Sequence, residues 1–558
     1  MLKKTLIAVI FALAVFCLSF SVWASPILFK GPIHQGSEGI ILARNLAQTG
    51  SYAIENELNV LLSPHLVKEE GQLYVSGNKL TPLLYAKIFK MAGNLTESQL
   101  TFLALTLHSL ALMFFALLIL YLFGFKASLI FSLIYILFPF NWQLTNALTG
   151  YEFALLFFSL FFLLYFLGLN QKYAYLYLAP AGLFLALACL AKEALLVFLP
   201  FFFFYLWRKN PKRYLIYVFL PFLILFGLIW TPNAYLLLLT EQTPKEIKAT
   251  DFGRYGHFFP DPYTYHFQKE EFLENYQKQL TDPQTSPLVK ANLLKTASNL
   301  GLDTPSIPER LKIGVILLLG HLARFLSLEE IGGPFIFLLM LLGAYILKKK
   351  NKYLFGFSLG WIFSALFLFS FVVLVSRRHL MDFNWILALL TALGIAGVVK
   401  IIGQYFNQEK SAILFSVLLL AVCYHLVLVN HVTWNRIYDS NWETSLKMQA
   451  YSREINKFEI ADQEVIAVPD DVDRFRLNYL NGKSLVVFRK ETLKNLLNKN
   501  QLSPAFEMFG VKYILGYSPN LSKEVEARTG VTAIADNSIK IPQIETTPAK
   551  VWFLNLVK

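Results

Sequence analysis

The stretch that decides the fold is LIAVIFALAVFCLSFSVWASPILFKGPIHQGSEGIILARNLAQTG, from Leu6 to Gly50. It begins with an apolar run long enough to cross a bilayer, which takes about 20 residues. A short amphipathic segment follows, and an acidic residue, Glu38, stands at its start. The basic N-terminus and the small-residue end of the run imitate a signal peptide. The apolar run exceeds the usual length of about 7 to 15 residues, however, which predicts an uncleaved anchor.

The composition indicates a polytopic membrane protein. Of the 558 residues, 56% are hydrophobic and 16% are charged, whereas soluble proteins average about 25% charged residues. The mean hydropathy is +0.49. The net charge of +13 lies largely in short clusters between apolar runs, as topology signals do, so no nucleic-acid partner is expected. The three cysteines, Cys17, Cys189 and Cys423, all lie in apolar runs, which predicts neither disulfides nor thiolate metal sites.

Eleven segments approach the length of a membrane span. They lie near residues 5–24, 99–123, 127–141, 152–169, 174–191, 194–207, 214–231, 333–347, 354–375, 384–402 and 412–430.

Basic residues in short loops predict the orientation, because they favour the cytoplasmic side. The clusters at residues 207–213 (WRKNPKR) and 348–352 (KKKNK) are the strongest of these signals. Both clusters lie on the cytoplasmic side only if the apolar run at residues 313–328 does not cross the membrane, so we predict an interfacial or buried helix there. The N-terminus is then cytoplasmic and the C-terminus external. Three external regions result: 25–98, 232–312 and 431–558.

The tail, residues 431–558, has the pattern of a small α/β domain, and residues 1–430 form the membrane domain with its external loops. EVIAVP, SLVVF, KYILGY and VTAIA read as strands, and ETLKNLLNKNQ reads as an amphipathic helix. No phosphate-binding glycine fingerprint occurs in the sequence. The predicted fold class is therefore a polytopic α-helical membrane protein with a small extracytoplasmic C-terminal α/β domain.

Several motifs, taken in order, resemble those of the GT-C superfamily of membrane glycosyltransferases. After the first apolar run come an acidic residue, ARNLAQTGSY and NKLTPLLYAKIFKMAG; TGYEFALLFF, GLFLALACLAKEALLVFLP and SRRHLMDFNWILALLTALGI follow later. The pattern is most similar to the protein O-mannosyltransferase and aminoarabinose transferase branch. The resemblance covers about residues 1–430.

The resemblance implies transfer of a sugar from a polyprenyl phosphate or pyrophosphate to an acceptor hydroxyl, with inversion. A carboxylate near the outer membrane surface would act as general base. The family's usual Asp would fall on Gln35, which cannot act as a base, and the nearest carboxylate is Glu38. Either Glu38 has taken the role, or the site is altered or inactive. His34 is an acid/base candidate, with a solvated loop histidine as the alternative.

Two further positions carry charge at predicted outer ends of spans. Glu152 opens one span, where it either orients the acceptor or a basic partner beside Glu38, or simply faces water. Lys192 interrupts an apolar run, where it either binds donor phosphate or pairs with Glu193.

A basic external turn is the best predicted anion site. It contains Arg377, Arg378 and His379. Basic residues favour the cytoplasmic side, so a basic cluster on the external side requires an explanation, and binding of a lipid phosphate would provide one. Interaction with anionic lipid headgroups is the alternative.

The second external loop is aromatic and has Arg254 and His257 near its start. We include both as substrate-binding candidates. Its aromatic side chains could stack on a sugar or lie at the membrane interface. A metal site of His257, Asp261 and His266 lacks a diagnostic spacing, so no metal or other cofactor is expected.

The sequence thus predicts a glycosyltransferase of the inner or plasma membrane, with a lipid-linked sugar donor and a lipid, protein or glycan acceptor. A transporter or flippase for lipid-linked or polar cargo is one alternative. Such a protein would carry charged residues at mid-depth in its spans. Most ionisable residues of this chain lie near the predicted span ends instead, and His425, inside the last span, is the exception. A catalytically inactive GT-C scaffold that binds a glycolipid is the other, and Gln35 is the residue that favours it.

Overall fold

A computed structural model describes most of the chain. The described residues exclude 1, 31–37, 50–79, 145–149, 170, 210–211, 231–258, 260, 298–299, 301, 372–383, 405–407, 458, 461–463, 516–519, 522, 526–536, 540–548 and 552–558.

The membrane domain is built from α-helices. Those before the second external loop are α1 (Leu2–Lys30), α2 (Glu38–Thr49), α3 (Leu80–Ala92), α4 (Glu97–Phe123), α5 (Phe125–Leu137), α6 (Pro139–Leu144), α7 (Tyr151–Gly168), α8 (Tyr175–Ala191), a 3-10 turn (Glu193–Phe198), α9 (Leu199–Lys209) and α10 (Lys212–Trp230). Those after it begins are α11 (Pro262–Phe267), α12 (Lys269–Thr281), α13 (Pro287–Ala297), α14 (Ile307–Arg324), α15 (Leu328–Ile331), α16 (Pro334–Lys350), α17 (Lys352–Phe371), α18 (Asn384–Gly403) and α19 (Gln408–Ile455).

Each of the eleven predicted spans coincides with helical structure. Seven helices in the described part of the chain are long and apolar enough to cross a membrane, while α5 and α8 are shorter apolar helices. The predicted segment 194–207 is a 3-10 turn followed by α9 rather than one helix. Residues 313–328 lie mostly in α14, which packs against α17. A polytopic helical membrane protein is confirmed, whereas the number of spans and their orientation remain predictions.

The core of the bundle is formed by aromatic side chains. Trp385 of α18 stacks on Phe115 of α4 with ring centroids 5.3 Å apart, and it lies 4.8 Å from Phe162 of α7. Trp361 of α17 stacks on Phe198 of the 3-10 turn at 4.5 Å. Aromatic pairs of this kind contribute roughly 0.5–1.5 kcal/mol each beyond the burial of their area. They hold α4, α7, α17 and α18 in fixed rotation, which decides the side chains that meet at the outer ends of these helices.

The helix that contains the last span continues beyond the predicted domain boundary. Helix α19 runs for 48 residues and is continuous across residue 430. Inside the span, His425 Nε2 hydrogen-bonds the carbonyl oxygen of Gly332 at 2.7 Å. The mid-depth position of this histidine therefore has a structural explanation, because the ring satisfies a backbone group at the turn after α15.

The tail contains a small parallel sheet covered by helices. Strands β1 (Val465–Val468), β2 (Ser484–Val487) and β3 (Val511–Ile514) pair in the order β2-β1-β3, with both pairs parallel. The remaining elements of the tail are α20 (Arg474–Asn481), α21 (Lys490–Asn498), α22 (Leu502–Met508) and an antiparallel pair, β4 (Asn537–Ile539) and β5 (Ala549–Val551). Three of the four predicted strand segments and the predicted helix are present, whereas VTAIA lies outside the described residues.

Three of the described aromatic residues of the second external loop pack on this sheet. Phe259, Tyr263 and Tyr265 belong to the hydrophobic cluster that contains Val465 and Val486. These three side chains therefore pack against protein rather than against a sugar or the membrane interface, and the two predicted roles are wrong for them. The physical reason is that the strands expose an apolar face that must be covered.

Candidate active site

The start of α7 places a carboxylate inside the protein. Gly150 takes a left-handed conformation, with φ 85°, and ends the preceding segment so that α7 begins at Tyr151. Glu152 then lies in the first helical turn, where its side chain is 0% exposed. The free N–H groups of a helix start favour a negative charge there. This local arrangement makes it possible to bury a carboxylate at the end of a span.

Helix α3 supplies the donor that this carboxylate binds. The hydroxyl of Tyr85 donates to Glu152 Oε1 at 2.8 Å, and the Tyr85 ring packs edge-on against Phe153 with centroids 5.1 Å apart. The hydroxyl of Thr81 donates to the carbonyl of Ala191 at 3.1 Å, which fixes α3 against the end of α8. Burial, followed by the charge of Glu152 and the hydrogen bond to it, raises the pKa of Tyr85 well above its usual value. Tyr85 is therefore a permanent hydrogen-bond donor to the carboxylate.

Lys192 lies at the same place. It follows the last residue of α8 and precedes the 3-10 turn, and its ammonium is 4.7 Å from the centre of the Tyr151 ring. The side chain is buried, with 6% of its surface exposed, and its charge acts on the Glu152 carboxylate. The structure thus brings together two sequence-predicted residues, Glu152 and Lys192, which are forty residues apart in the chain.

One oxygen of Glu152 remains open. The backbone N–H groups of Gly150 and Glu152 lie close to the carboxylate. Oε2 nevertheless has no partner at hydrogen-bond geometry among the described residues. Most buried polar atoms in folded proteins are satisfied by protein or by water, so an open carboxylate oxygen requires an explanation. A ligand hydroxyl that donates to Oε2 would provide one.

The first external loop reaches this site through α3. Helix α2 begins at Glu38 and packs against α3, the helix of Tyr85. The side chain of Glu38 lies outside the described residues, and so do His34 and Gln35. The neighbourhood of α2 and Glu152 therefore agrees with a paired acidic site, and the role of Glu38 stays a prediction.

The other predicted site residues also lie outside the described part of the chain. They are Arg254, His257, Arg377, Arg378 and His379.

Asp261, which was considered above as a metal ligand together with His257 and His266, has structural partners. Its Oδ1 accepts from the backbone N–H of Thr264 at 2.8 Å and caps α11, while Oδ2 accepts from the Thr492 hydroxyl at 2.5 Å. No group of three potential metal ligands occurs within the residues that the structure describes.

A second buried carboxylate, which the sequence reasoning missed, joins the membrane domain to the tail. Glu97 begins α4, and Arg476 of α20 binds both of its oxygens, at 2.7 Å from Nε and 2.8 Å from Nη2. Gln449 of α19 donates to Oε2 at 3.2 Å, and Arg476 also donates to the Ser445 hydroxyl. Nothing in the local sequence indicates this network, because its members are separated by hundreds of residues.

Helix α20 also contacts the first external loop. The guanidinium of Arg44 on α2 donates to Asn478 Oδ1 at 2.9 Å and to the carbonyl oxygen of the same residue at 3.1 Å. Tyr479 donates to the carbonyl of Leu95. The tail is thus docked on α2 and on the start of α4, and α2 is held between α3 and α20.

Comparison with known proteins finds likeness in structure. Neither a protein-family model nor a curated protein sequence matches this chain. The archaeal oligosaccharyltransferase AglB from Archaeoglobus fulgidus, in complex with an inhibitory peptide and a dolichol-phosphate, superposes with a TM-score of 0.53 at 14% identity over 90% of this chain and 69% of that chain. The same oligosaccharyltransferase tethered to an acceptor peptide gives a TM-score of 0.51 at 13% identity, over 93% and 70% of the two chains.

A bacterial enzyme was also found. ArnT from Cupriavidus metallidurans, bound to undecaprenyl phosphate, gives a TM-score of 0.40 at 10% identity over 99% of this chain and 98% of that chain. The likeness to the oligosaccharyltransferase is sufficient to establish a common architecture. The chain therefore has the fold of this oligosaccharyltransferase, which agrees with the resemblance found in its sequence motifs.

Proposed function

We propose that this protein transfers a sugar from a polyprenyl-phosphate-linked donor to an acceptor hydroxyl at the extracytoplasmic face of the membrane, with inversion at the anomeric carbon. The single observation that carries the proposal is the buried carboxylate of Glu152, which binds Tyr85 through one oxygen and leaves the other without a partner in the described structure. The shared fold supports the same activity, because the archaeal neighbour is an oligosaccharyltransferase in complex with a dolichol-phosphate.

The reaction requires a base, a site for the leaving group and a membrane-bound donor. As the acceptor oxygen bonds to the anomeric carbon, its proton passes to a carboxylate and the bond from that carbon to the phosphate oxygen breaks. The electron pair of that bond leaves with the lipid phosphate, whose charge must be balanced by cations. Glu38 and Glu152 are the proposed acidic pair, in which Glu38 acts as the base and Glu152 orients the acceptor.

Cationic side chains are assigned to the lipid phosphate. Lys192 is buried within reach of the charge of Glu152, and a buried ammonium retains a strong interaction with an anion. We assign Arg377 and Arg378 to the same phosphate and His379 to the substrate, because their turn resembles one in the family. We also assign Arg254 and His257 to the substrate, because they lie near the start of the aromatic second external loop. In this proposal the C-terminal domain lies outside the inner or plasma membrane, and the N-terminus is cytoplasmic.

The proposal is tested by transfer of radiolabelled sugar from polyprenyl-phosphate donors in membranes that contain equal amounts of each variant. We expect Glu38→Gln to reduce transfer by about a hundredfold or more, as loss of a general base does. Glu270→Gln is the matched control, since this carboxylate is exposed on α12 and its loss should leave transfer unchanged. Absence of transfer by the wild type with every donor would contradict the proposed function. Full transfer by Glu38→Gln would instead move the role of base to Glu152.

A further inference from the structure

A histidine buried inside the second span is not explained by the fold or by the residues discussed so far. His108 lies in α4, within the apolar sequence LTLHSLAL, and has 3% of its surface exposed. Its Nε2 atom has no hydrogen-bond partner among the described residues. Ionisable side chains inside membrane spans are rare and commonly mark a functional site. His425, the histidine in the last span, differs from His108 because its Nε2 atom is hydrogen-bonded to the Gly332 carbonyl oxygen.

The packing of α4 against α7 gives the depth of His108. Ala111 of α4 belongs to a buried cluster with Tyr151 and Leu155 of α7, and the Phe115 ring lies 6.4 Å from that of Phe162. Contacts on both helices thus advance in the same direction along the chain, so α4 and α7 are parallel. His108 precedes Ala111 by three residues, and the same register brings it level with the start of α7.

His108 also faces the correct side of its helix. Residues three, four and seven apart in an α-helix lie on the same face, and Ala111 and Phe115, which follow His108 by three and seven residues, both pack on α7. His108 therefore faces the beginning of α7, at the depth of Glu152. His108 Nε2 and Glu152 Oε2 are both among the buried polar atoms without a hydrogen-bond partner in the described structure, and the register of the two helices gives them a similar depth.

The chemistry of the two atoms is complementary to a hydroxyl group. Glu152 Oε2 can only accept a hydrogen bond when ionised, whereas an imidazole nitrogen donates or accepts according to its tautomer. A hydroxyl can do both at once, and sugars and acceptor alcohols carry such groups. We propose that His108 is a further substrate-binding residue, which hydrogen-bonds a hydroxyl of the sugar or of the acceptor at the depth of Glu152. This inference rests on the proposed function.

Kinetics of two substitutions at His108 test the inference. In the transfer assay, His108→Phe should raise one KM by about tenfold, the usual effect of losing a hydrogen bond in a buried site. His108→Gln, which keeps a nitrogen near the position of Nε2, should recover most of the loss. The matched control is Thr106→Val on the same helix, because the Thr106 hydroxyl is bonded to the Phe102 carbonyl at 2.8 Å and should not affect either KM.

The substrate whose KM rises identifies the origin of the hydroxyl. An effect on the donor KM assigns His108 to the sugar, and an effect on the acceptor KM assigns it to the acceptor. A structural role would reduce the amount of folded protein and leave both KM values unchanged. Unchanged kinetic constants for His108→Phe, in an experiment where the wild type transfers sugar, would overturn the inference and leave the proposed function intact.

A second measurement does not depend on transfer. In a variant with Cys17, Cys189 and Cys423 replaced by alanine, His108→Cys should react with the small water-soluble reagent methanethiosulfonate ethylammonium. Leu105→Cys is the control, since Leu105 is fully buried in the core and should react at least tenfold more slowly. Equal, slow labelling at both positions would overturn the inference, even if the wild type proved to have no transferase activity.

Discussion

Two carboxylates are buried at the starts of two parallel helices, and they differ in their partners. Glu97 begins α4 and receives Arg476 on both oxygens, with Gln449 as a further donor. Glu152 begins α7 and receives Tyr85 on one oxygen only. Both oxygens of Glu97 are paired with the Arg476 guanidinium, whereas Glu152 Oε2 has no hydrogen-bond partner in the described structure and can receive a ligand. Burial alone therefore does not identify a functional acid; whether a partner already holds both of its oxygens matters as well.

The largest expected effect on sugar transfer follows substitution of Glu152, the carboxylate with the open oxygen. Glu152→Gln keeps the size and a hydrogen-bond acceptor but removes the charge that orients the acceptor, so transfer should fall by about a hundredfold. The unfolding temperature of the purified protein should change by only a few degrees. Transfer measured at matched protein amounts decides the matter. Undiminished activity of this variant would place Glu152 in the same structural class as Glu97.

The contribution of the Glu97–Arg476 ion pair to stability is tested by Arg476→Met. This change leaves Glu97 buried without its partner, and breaking a buried ion pair costs about 3–5 kcal/mol of unfolding free energy. Thermal unfolding in detergent should show a large decrease, together with faster proteolysis of the tail.

Arg489→Met is the matched control for that experiment. The Arg489 guanidinium lies 3.9 Å from Asp470, with both side chains about half exposed, and pairs of this kind contribute at most about 1 kcal/mol. Equal losses of stability in the two arginine variants would contradict the assignment of Glu97 as a docking residue.

A smaller effect is expected when the side-chain donor to Glu152 that the structure describes, Tyr85, is removed. Tyr85→Phe deletes a hydrogen bond to a charged group, worth about 1.5–3 kcal/mol, and should reduce transfer by roughly tenfold or more. Because the pKa of Tyr85 is raised well above its usual value, the hydroxyl keeps its proton through pH 10. The alkaline side of the pH–rate profile should therefore be the same for the wild type and for Tyr85→Phe. A limb that disappears in the variant would show that Tyr85 titrates within this range.

The smallest expected effect concerns the contact between the tail and the first external loop. Arg44→Lys keeps the charge but loses the planar fork that binds Asn478, and the cost should be about 1 kcal/mol of stability. Transfer should decrease by a fewfold at most, because α2 keeps its packing against α3. A loss of transfer as large as that of Glu152→Gln would show that the docking region and the catalytic region are one site.

The sequence predicted elements well and contacts poorly. The spans follow from apolar runs such as residues 99–123, and β1, β2 and α21 follow from periodicity that a short segment carries by itself. Glu152 and Lys192 were identifiable, because each breaks an apolar run at a predicted outer end. Their partners were not, since the approach of Tyr85 to Glu152 depends on the rotation of α3 and on a separation of 67 residues.

His108 illustrates the same limit from another direction. A histidine inside a 27-residue apolar helix is visible in the sequence as a signal, yet its depth relative to Glu152 depends on how α4 and α7 pack. The aromatic second loop shows the converse, because its composition predicted exposure to sugar or lipid while Phe259 lies in the core beside the sheet. Composition describes what a segment can bind, and only the tertiary structure determines which surface it meets.

The length of α19 gives the molecule a mechanical property. At 1.5 Å per residue, its 48 residues measure about 72 Å, and the part beyond Val432 extends about 35 Å from the predicted span. A continuous helix of this kind fixes both the distance of the sheet from the span and its rotation about the helix axis. Inserting one residue between 433 and 443 would advance the far end by about 1.5 Å and turn it by about 100°. Ser445 and Gln449 would then face away from Arg476 and Glu97. The number of residues in α19 therefore fixes the rotation of the tail relative to the span.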